Sequence, residues 1–520
     1  PNDRGVSINE FKEYNVDEKG QILNNADNIG RSYLGGLINA NPNLAPNQAA
    51  NLIILQVNGS NRSQIEGYLE ALSRQKVDVI LANENGLYIN NSGTINIKNF
   101  TATTGKLNLK DGDFVGIDVE KGNVLIGPKG FNGNNTDYVD IIAKTLELRG
   151  NVVANNLNIK TGSNDKNSSN TLAIDASELG GMYAGVIKIV STDKGVGVNS
   201  DSFIVSKDKK LEITADGQIK INKVQAKGID IKGKEYLQKD LTYSDGDISI
   251  KADKIKLAGT GMSGNKVSLN GDVENSSNIS AKESINVKKL ENTGNVSTAS
   301  SLHINESLNN SGNIQANSKI EVANNLKNNG SVKSLDSISI NGNVNNDGEI
   351  LTNKNFIAKD VVSSKTLIAK ENISVSNLNN TGAVATEKKL NVNGTLLNNG
   401  EIISENIDLT TLNNNGKIVV KENFNAKDIS NTDSIKVGGT LNVDNLKNSK
   451  NILASNINIE KSLDNINGTI SSVNTKINTN DIKNTNGSIQ ATKNIEISTT
   501  ETLNLEGKYL ANDSLNIKAK

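Results

Sequence analysis

Residues with chemical potential are few and scattered. The carboxylates Asp111 and Asp113 flank Gly112 in "KDGDFVGIDVEKG", and Asp245 and Asp247 flank Gly246 in "YSDGDISIKADK". Asp-Gly-Asp can aim two carboxylates at a calcium ion. It is also ordinary turn chemistry, the reading preferred here. Catalytic acids in a cleft would need basic partners and aromatic platforms, and aromatics make up only 3% of the chain. "TTGKLN" at 103–108 is like a phosphate loop around Gly105-Lys106, but it lacks the upstream Gly and the Ser/Thr after Lys. The single histidine, His303, lies between Leu302 and Ile304 and reads as a solvent-facing strand residue. With no Cys, neither disulfides nor thiolate metal sites are available. Net charge is −1, which gives no basic field to gather nucleic acid or anionic lipid. Catalytic residues, metals and cofactors are therefore expected to be none.

The remaining pattern is a repeat. Gly before Ile, Val or their like recurs at Gly294, Gly312, Gly330 and Gly348, a step of 18. It continues at Gly382, Gly400, Gly416, Gly468 and Gly487, with Ser277, Lys365, Asp433 and Lys450 at the same place in other coils. Within a coil, Ile314 and Ala316, then Ile320 and Val322, alternate with polar residues, the period of a strand. Such short alternating runs can cover their apolar side only by meeting across one coil and stacking on the next. This predicts an all-β parallel β-helix, or solenoid, of roughly 22–26 coils at ~4.8 Å each. No apolar run is long enough to span a membrane.

Two residues before the anchor stands Asn275, Asn292, Asn310, Asn328, Asn346, Asn380, Asn398, Asn414, Asn431 or Asn448. An Asn at one fixed corner can pass its amide hydrogen bond from coil to coil, so these residues are assigned to a structural ladder. Asn and Gly are further expected at this corner because both tolerate left-handed backbone. Three segments result: 1–160, 161–270 with irregular loops, and a regular shaft over 271–520.

Residues 1–160 repeat less clearly. Spacing alone (Ile65, Leu69, Leu72, with Ser63 as N-cap) predicts a short helix over 63–75. This region carries "NPNL" at Asn41-Pro42-Asn43-Leu44, preceded by Gly35-Gly36, and later "NENG" at Asn83-Glu84-Asn85-Gly86. "LGGMYAG" and "KGVGV" follow at 179–185 and 194–198. In this order the motifs resemble the secretion domain of filamentous-haemagglutinin-type exoproteins of two-partner secretion, including the contact-dependent growth-inhibition proteins. Glu84 stands where the family has Pro, and the turn is expected to survive on its Asn and Gly.

The resemblance implies a right-handed β-helix with an N-terminal cap and small extra-helical β elements, and strands rather than a helix over 63–75. It implies a secreted, surface-exposed adhesin exported past the Gram-negative outer membrane by a cognate β-barrel transporter. Asn41, Pro42, Asn43, Leu44, Asn83, Asn85 and Gly86 are the residues it assigns to recognition by that transporter. The other partner is a cell-surface receptor; the chain is expected to be a monomer without membrane span or nucleic acid. Alternatives are the stalk of a growth-inhibition toxin and a β-helical polysaccharide lyase or hydrolase. The start reads as a mature terminus, and the alternating last coil is expected to be followed by more coils.

Overall fold

The computed structural model describes residues 1–162, 172–177, 179–503 and 505–519. Parts of the expectations lie outside them: 163–171 of the irregular middle segment, Glu178 just before the motif at 179–185, and Asn504 and Lys520 of the last coil. Among the described residues there is no helix, and the chain forms a parallel β-solenoid of about 24 turns. Contacts divide it into two compact units, Pro1–Ala281 and Lys282–Lys520.

In the first unit, Val6–Phe11 pairs in parallel with Leu52–Val57, which pairs with Val77–Asn83, which pairs with Ile97–Thr103. The same side continues through Tyr138–Ala143 and Val152–Thr161 into Met182–Ser191 and Gly197–Thr214. Inward residues fall in register. Leu55, Leu81, Ala102, Ile141, Ile159, Ile189 and Ile213 form one column, and every member is buried. The chain over 63–75 is two strands, Ser63–Ile65 and Tyr68–Leu72, not a helix. Its apolar residues point inward because each strand is laid on a neighbouring coil: Gln21–Asn24 pairs with Leu69–Leu72. Long-range ladder pairing overrides local spacing in so short a segment.

Among the described residues, two antiparallel hairpins stand outside the parallel sheet, Gly30–Ser32 with Gly36–Ile38 and Lys106–Lys110 with Asp113–Asp118. Asp111 and Gly112 form the tip of the second, with φ of 54° and 80°. Positive φ at both central residues is the demand of a tight hairpin turn, and Asp-Gly meets it.

In the second unit each coil has three faces. Asn313–Ala316, Ile320–Val322 and Leu326–Asn328 pair with Ser331–Ser334, Ile338–Ile340 and Val344–Asn346 one coil on. Val332, Ile350, Leu367, Val384, Ile402 and Ile418 form one inner column, each at most 1% exposed. Each side chain so buried contributes about 2 kcal/mol by leaving water.

The corner glycines are there for a different reason from the one expected. Gly312, Gly330, Gly348, Gly382, Gly400 and Gly416 do not have positive φ, and neither do the ladder asparagines. A Cβ on Gly312 would collide with the carbonyl oxygen of Gly294, and one on Gly330 with that of Gly312. Close approach of one corner to the next, not left-handed backbone, selects glycine.

Candidate functional site

The two asparagine motifs of the first unit fold into the same turn. In Asn41–Leu44 the Asn41 carbonyl accepts the Leu44 N–H at 3.1 Å, and its side-chain Oδ1 accepts the Asn43 N–H at 3.0 Å. In Asn83–Gly86 the Asn83 carbonyl accepts the Gly86 N–H at 3.0 Å, and its Oδ1 accepts the Asn85 N–H at 2.9 Å. Each leading Asn thus makes an Asx-turn inside a β-turn. Pro42 and Glu84 occupy the same second position, so loss of the proline leaves the hydrogen-bond pattern unchanged. Gly86 has φ of 111°, a backbone that disfavours any other residue.

Each leading Asn also pins its turn to an earlier segment. Asn41 Nδ2 donates to the Asn24 carbonyl at 2.8 Å. Asn83 Nδ2 donates to the Asn61 carbonyl and to Ser63 Oγ, both at 2.9 Å, and Asn83 is 1% exposed. Asn85 Nδ2 reaches the Gly59 carbonyl at 2.7 Å. Asn43 differs: it is exposed, and its side chain makes no such bond. Asn41 and Leu44 line a cavity of about 270 Å³ with Phe11, Ile22 and Ile53 at the first coil. The two turns are not brought together; each closes on its own neighbour.

Residues without a sequence motif hold this region in place. The Asn25 side chain clasps Ala50 in both directions, donating to its carbonyl at 2.9 Å and accepting its N–H at 2.7 Å. The Asp27 carboxylate accepts the Asn47 N–H at 2.8 Å; that backbone bond, with Arg74 nearby, holds its pKa below the usual carboxylate range. Glu70, 2% exposed, accepts from Ser32 Oγ at 2.6 Å and from the N–H groups of Tyr33 and Leu34 at 2.8 and 2.9 Å. It fastens the Gly35-Gly36 hairpin to the coil beneath. An acid among the apolar residues 69–72 was the available signal: a buried carboxylate needs several donors. In the later block, buried Asp193 meets the Lys144 ammonium at 2.8 Å and fixes the Asp193–Val196 turn.

The acids considered for chemistry do not converge. Asp113 pairs with Arg4, Asp245 accepts from the Tyr243 hydroxyl at 2.9 Å, and Asp247 accepts the Lys266 N–H at 3.1 Å. Among the described residues no group of three or more His, Asp or Glu could hold a metal ion. Gly105 and Lys106 open the second hairpin rather than a phosphate loop. His303 points outward between Glu321 (Nδ1 to carboxylate, 2.8 Å) and Ser301 (2.9 Å).

In the second unit the corner asparagines form a buried amide chain. Asn292 donates to Asn310, Asn310 to Asn328 and Asn328 to Asn346, at 2.8, 2.9 and 2.9 Å. Asn380, Asn398, Asn414, Asn431 and Asn448 continue it at 2.8 Å per step. Asn275, in the first unit, is equally buried and bonds to Ser277. Sequence spacing missed two rungs. Asn448 donates to Asn465 and Asn465 to Asn484, each at 2.7 Å. These stand three residues before their Gly, not two, because Asn467 and Asn486 absorb an extra residue at φ of 59° and 57°. Among the described residues, the amide chain from Asn292 to Asn484 breaks between Asn346 and Asn380. Ser363 Oγ accepts from Asn346 at 3.1 Å, and no bond joins Ser363 to Asn380. Ser363→Asn is expected to join the two runs and add about 1 kcal/mol, read as slower amide hydrogen exchange over residues 344–400. Exchange that quickens would show that the corner cannot hold the larger side chain.

Residues 1–221 match the family described as the TPS secretion domain. Toxin CdiA of Yersinia pestis is 36% identical over 233 residues, which cover 42% of this chain and 7% of that protein. The 16S rRNA endonuclease CdiA of Enterobacter cloacae subsp. cloacae is 34% identical over 267 residues, or 49% and 8% of the two chains. The chain therefore spans under a tenth of the length of these two relatives. Among solved structures, the filamentous hemagglutinin secretion domain is 27% identical and aligns over 50% of this chain and 90% of that one, with a TM-score of 0.43.

Proposed function

We propose, from the premise that this chain is a two-partner secretion exoprotein of the filamentous hemagglutinin and CdiA family, that its two asparagine turns are the part read by a cognate outer-membrane transporter. The observation that carries the reading is the family match over residues 1–221, which contains both turns. The shared hydrogen-bond pattern of Asn41–Leu44 and Asn83–Gly86 supports the assignment of Asn41, Pro42, Asn43, Leu44, Asn83, Asn85 and Gly86 to recognition. Residues 1–160 supply the recognised domain, 161–270 continue its coils, and 271–520 form the shaft.

Export follows from the fold's construction. Each coil adds ladder hydrogen bonds and an aliphatic layer to the one before it, so coils emerging outside the cell stack on those already formed. Outward growth of a stable solenoid opposes return of the chain. The whole protein acts at the cell surface as a filamentous adhesin. The relatives named as CdiA nucleases favour a second reading, in which the coils are the stalk of a toxin whose active part lies beyond the matched region.

The test is co-expression of the chain, behind a signal peptide, with and without a cognate two-partner secretion transporter. Transporter-dependent appearance in the medium is expected, and residues 1–281 alone should also be exported. Equal release in both strains would remove the proposal.

A further inference from the structure

The outer surface of one face of the second unit departs from the polar rule of the rest. The outward middle row of the Asn313–Ala316 face, followed coil by coil, reads Gln315, Lys333, Leu351, Ile368, Ala385, Ile403, Val419, Lys436. Five consecutive rungs are aliphatic, and none of the five is buried. Ile403 is 37% exposed. Polar residues close the row at both ends.

The residues on either side of this stripe carry charge in a pattern with a centre of symmetry at Ala385. On one side the outward row is Glu349, Thr366, Ala383, Glu401, Lys417. On the other it is Asn353, Lys370, Glu387, Glu405, Lys421, the outward position after each strand. Consider a second copy laid face to face, related by a two-fold axis that runs along the strands through Ala385. The coil order is then reversed. Ile368 meets Ile403, and Leu351 meets Val419. Glu349 faces Lys417 and Lys370 faces Glu405, each twice by symmetry; only Glu387 meets its own kind. With the axis along the coil stack instead, Glu401 would face Glu405 and Lys417 would face Lys421. Like charges opposed across a sheet are destabilising. The charge pattern therefore selects one arrangement. Glu349 and Lys417 already pair within the chain, with Lys333 and Glu401, but each remains more than 40% exposed on its side chain and can reach a further partner.

We propose that this stripe is a self-association surface, and that two copies of the chain pack antiparallel through it about Ala385. Two sheet faces packed in this way sit about 10 Å apart, as in a β-sandwich. Five coils by one strand width is roughly 24 Å by 17 Å, or about 400 Å² per copy, half of what a stable dimer usually buries. The association is accordingly weak in dilute solution and becomes significant where copies are crowded, as on a surface. This proposal concerns the shaft alone and stands whether or not the turns at 41–44 and 83–86 are read by a transporter.

The chain has no cysteine, so single introduced thiols report proximity directly. Leu351→Cys and Val419→Cys proteins, each in the 520-residue chain, are mixed at high concentration and oxidised. The expected product is the mixed Leu351→Cys/Val419→Cys dimer, in clear excess over either homodimer. Sedimentation equilibrium of the unmodified chain should show a monomer–dimer equilibrium. Ile368→Lys should weaken it at least about tenfold, without changing the circular dichroism spectrum, since the side chain points outward. Glu349→Lys should weaken it too, and the double variant Glu349→Lys/Lys417→Glu should restore it. Dominant homodimers of Leu351→Cys would overturn the antiparallel arrangement. A chain that stays monomeric at the highest soluble concentration would overturn the proposal.

Discussion

Replacing Asn83 by Ala should cut transporter-dependent export by at least about tenfold, a change equivalent to roughly 1.4 kcal/mol in the recognised state. The Asn83 side chain makes several bonds at once: it caps its own turn by accepting from the Asn85 N–H and side-chain amide, and ties the turn to Asn61 and Ser63. Alanine removes all of them and adds no bulk, so the turn loses both its shape and its anchorage. Asn41→Ala should act in the same direction, because Asn41 holds Asn43 and Asn24 in the same way. Asn43→Ala should cost less, since that side chain is exposed and carries no bond within the chain. Asn414→Ala is the comparison for general destabilisation. Asn414 is fully buried and hydrogen-bonded in the shaft, and its loss should leave export nearly intact. The measurement is the ratio of secreted to cell-associated chain with the transporter present. Unchanged export in both Asn41→Ala and Asn83→Ala would detach the turns from recognition.

Replacing Asn328 by Leu should destabilise the shaft locally by about 2–4 kcal/mol. Asn328 is completely buried, accepts from Asn310 at 2.9 Å, and donates to Asn346 at 2.9 Å and to the Glu349 carbonyl at 3.1 Å. Leucine fills similar space but leaves the Asn310 amide and the Asn346 carbonyl oxygen each short of a partner. Every buried polar group so stranded costs about 1–3 kcal/mol. Asn325→Leu, three residues away on the exposed corner, gives up an acceptor for the Asn343 N–H at 2.9 Å, where water can take over. It should cost under about 1 kcal/mol. Native-state hydrogen exchange over residues 290–350 reads the difference, because stability in a stacked array is set by each coil and its neighbours. Equal losses at Asn325 and Asn328 would show that the amide chain contributes nothing beyond its constituent residues.

The two asparagine turns of the first unit and the amide chain of the second are built from the same residue type in different ways. In the first unit the leading Asn of each turn caps its own backbone through Oδ1 and donates its amide back to one particular earlier segment. In the second they reach forward along the stack, each to the next coil. The turn itself is local and needs only two or three residues in sequence; its anchorage, like the amide chain, exists only once the chain has folded.

That distinction also separates what could be read from the chain alone from what could not. The 18-residue step with alternating Ile, Val and Leu was sufficient for a solenoid, because a period-two strand too short for a second layer can bury its apolar side only on its own neighbours. The recurring Asn was legible for the same reason: fixed offset in sequence means fixed place in the coil. Only the tertiary structure decided what depends on contacts between coils. It gave the physical reason that 63–75 forms strands, as the family resemblance implied against the helical spacing: pairing with 21–24 outweighs local periodicity. It showed that the corner glycines answer to the carbonyl of the preceding coil, a distance no single repeat encodes. It added Asn465 and Asn484 to the amide chain, because a left-handed residue absorbs the shift that hid them. It placed Glu70 under the Gly35-Gly36 hairpin, a pairing between residues 36 to 38 apart in sequence that had no spacing to announce it. The periodic part of this protein follows from sequence because its neighbours recur at regular intervals. The N-terminal part does not, because each of its clasps joins one particular residue to another that nothing repeats.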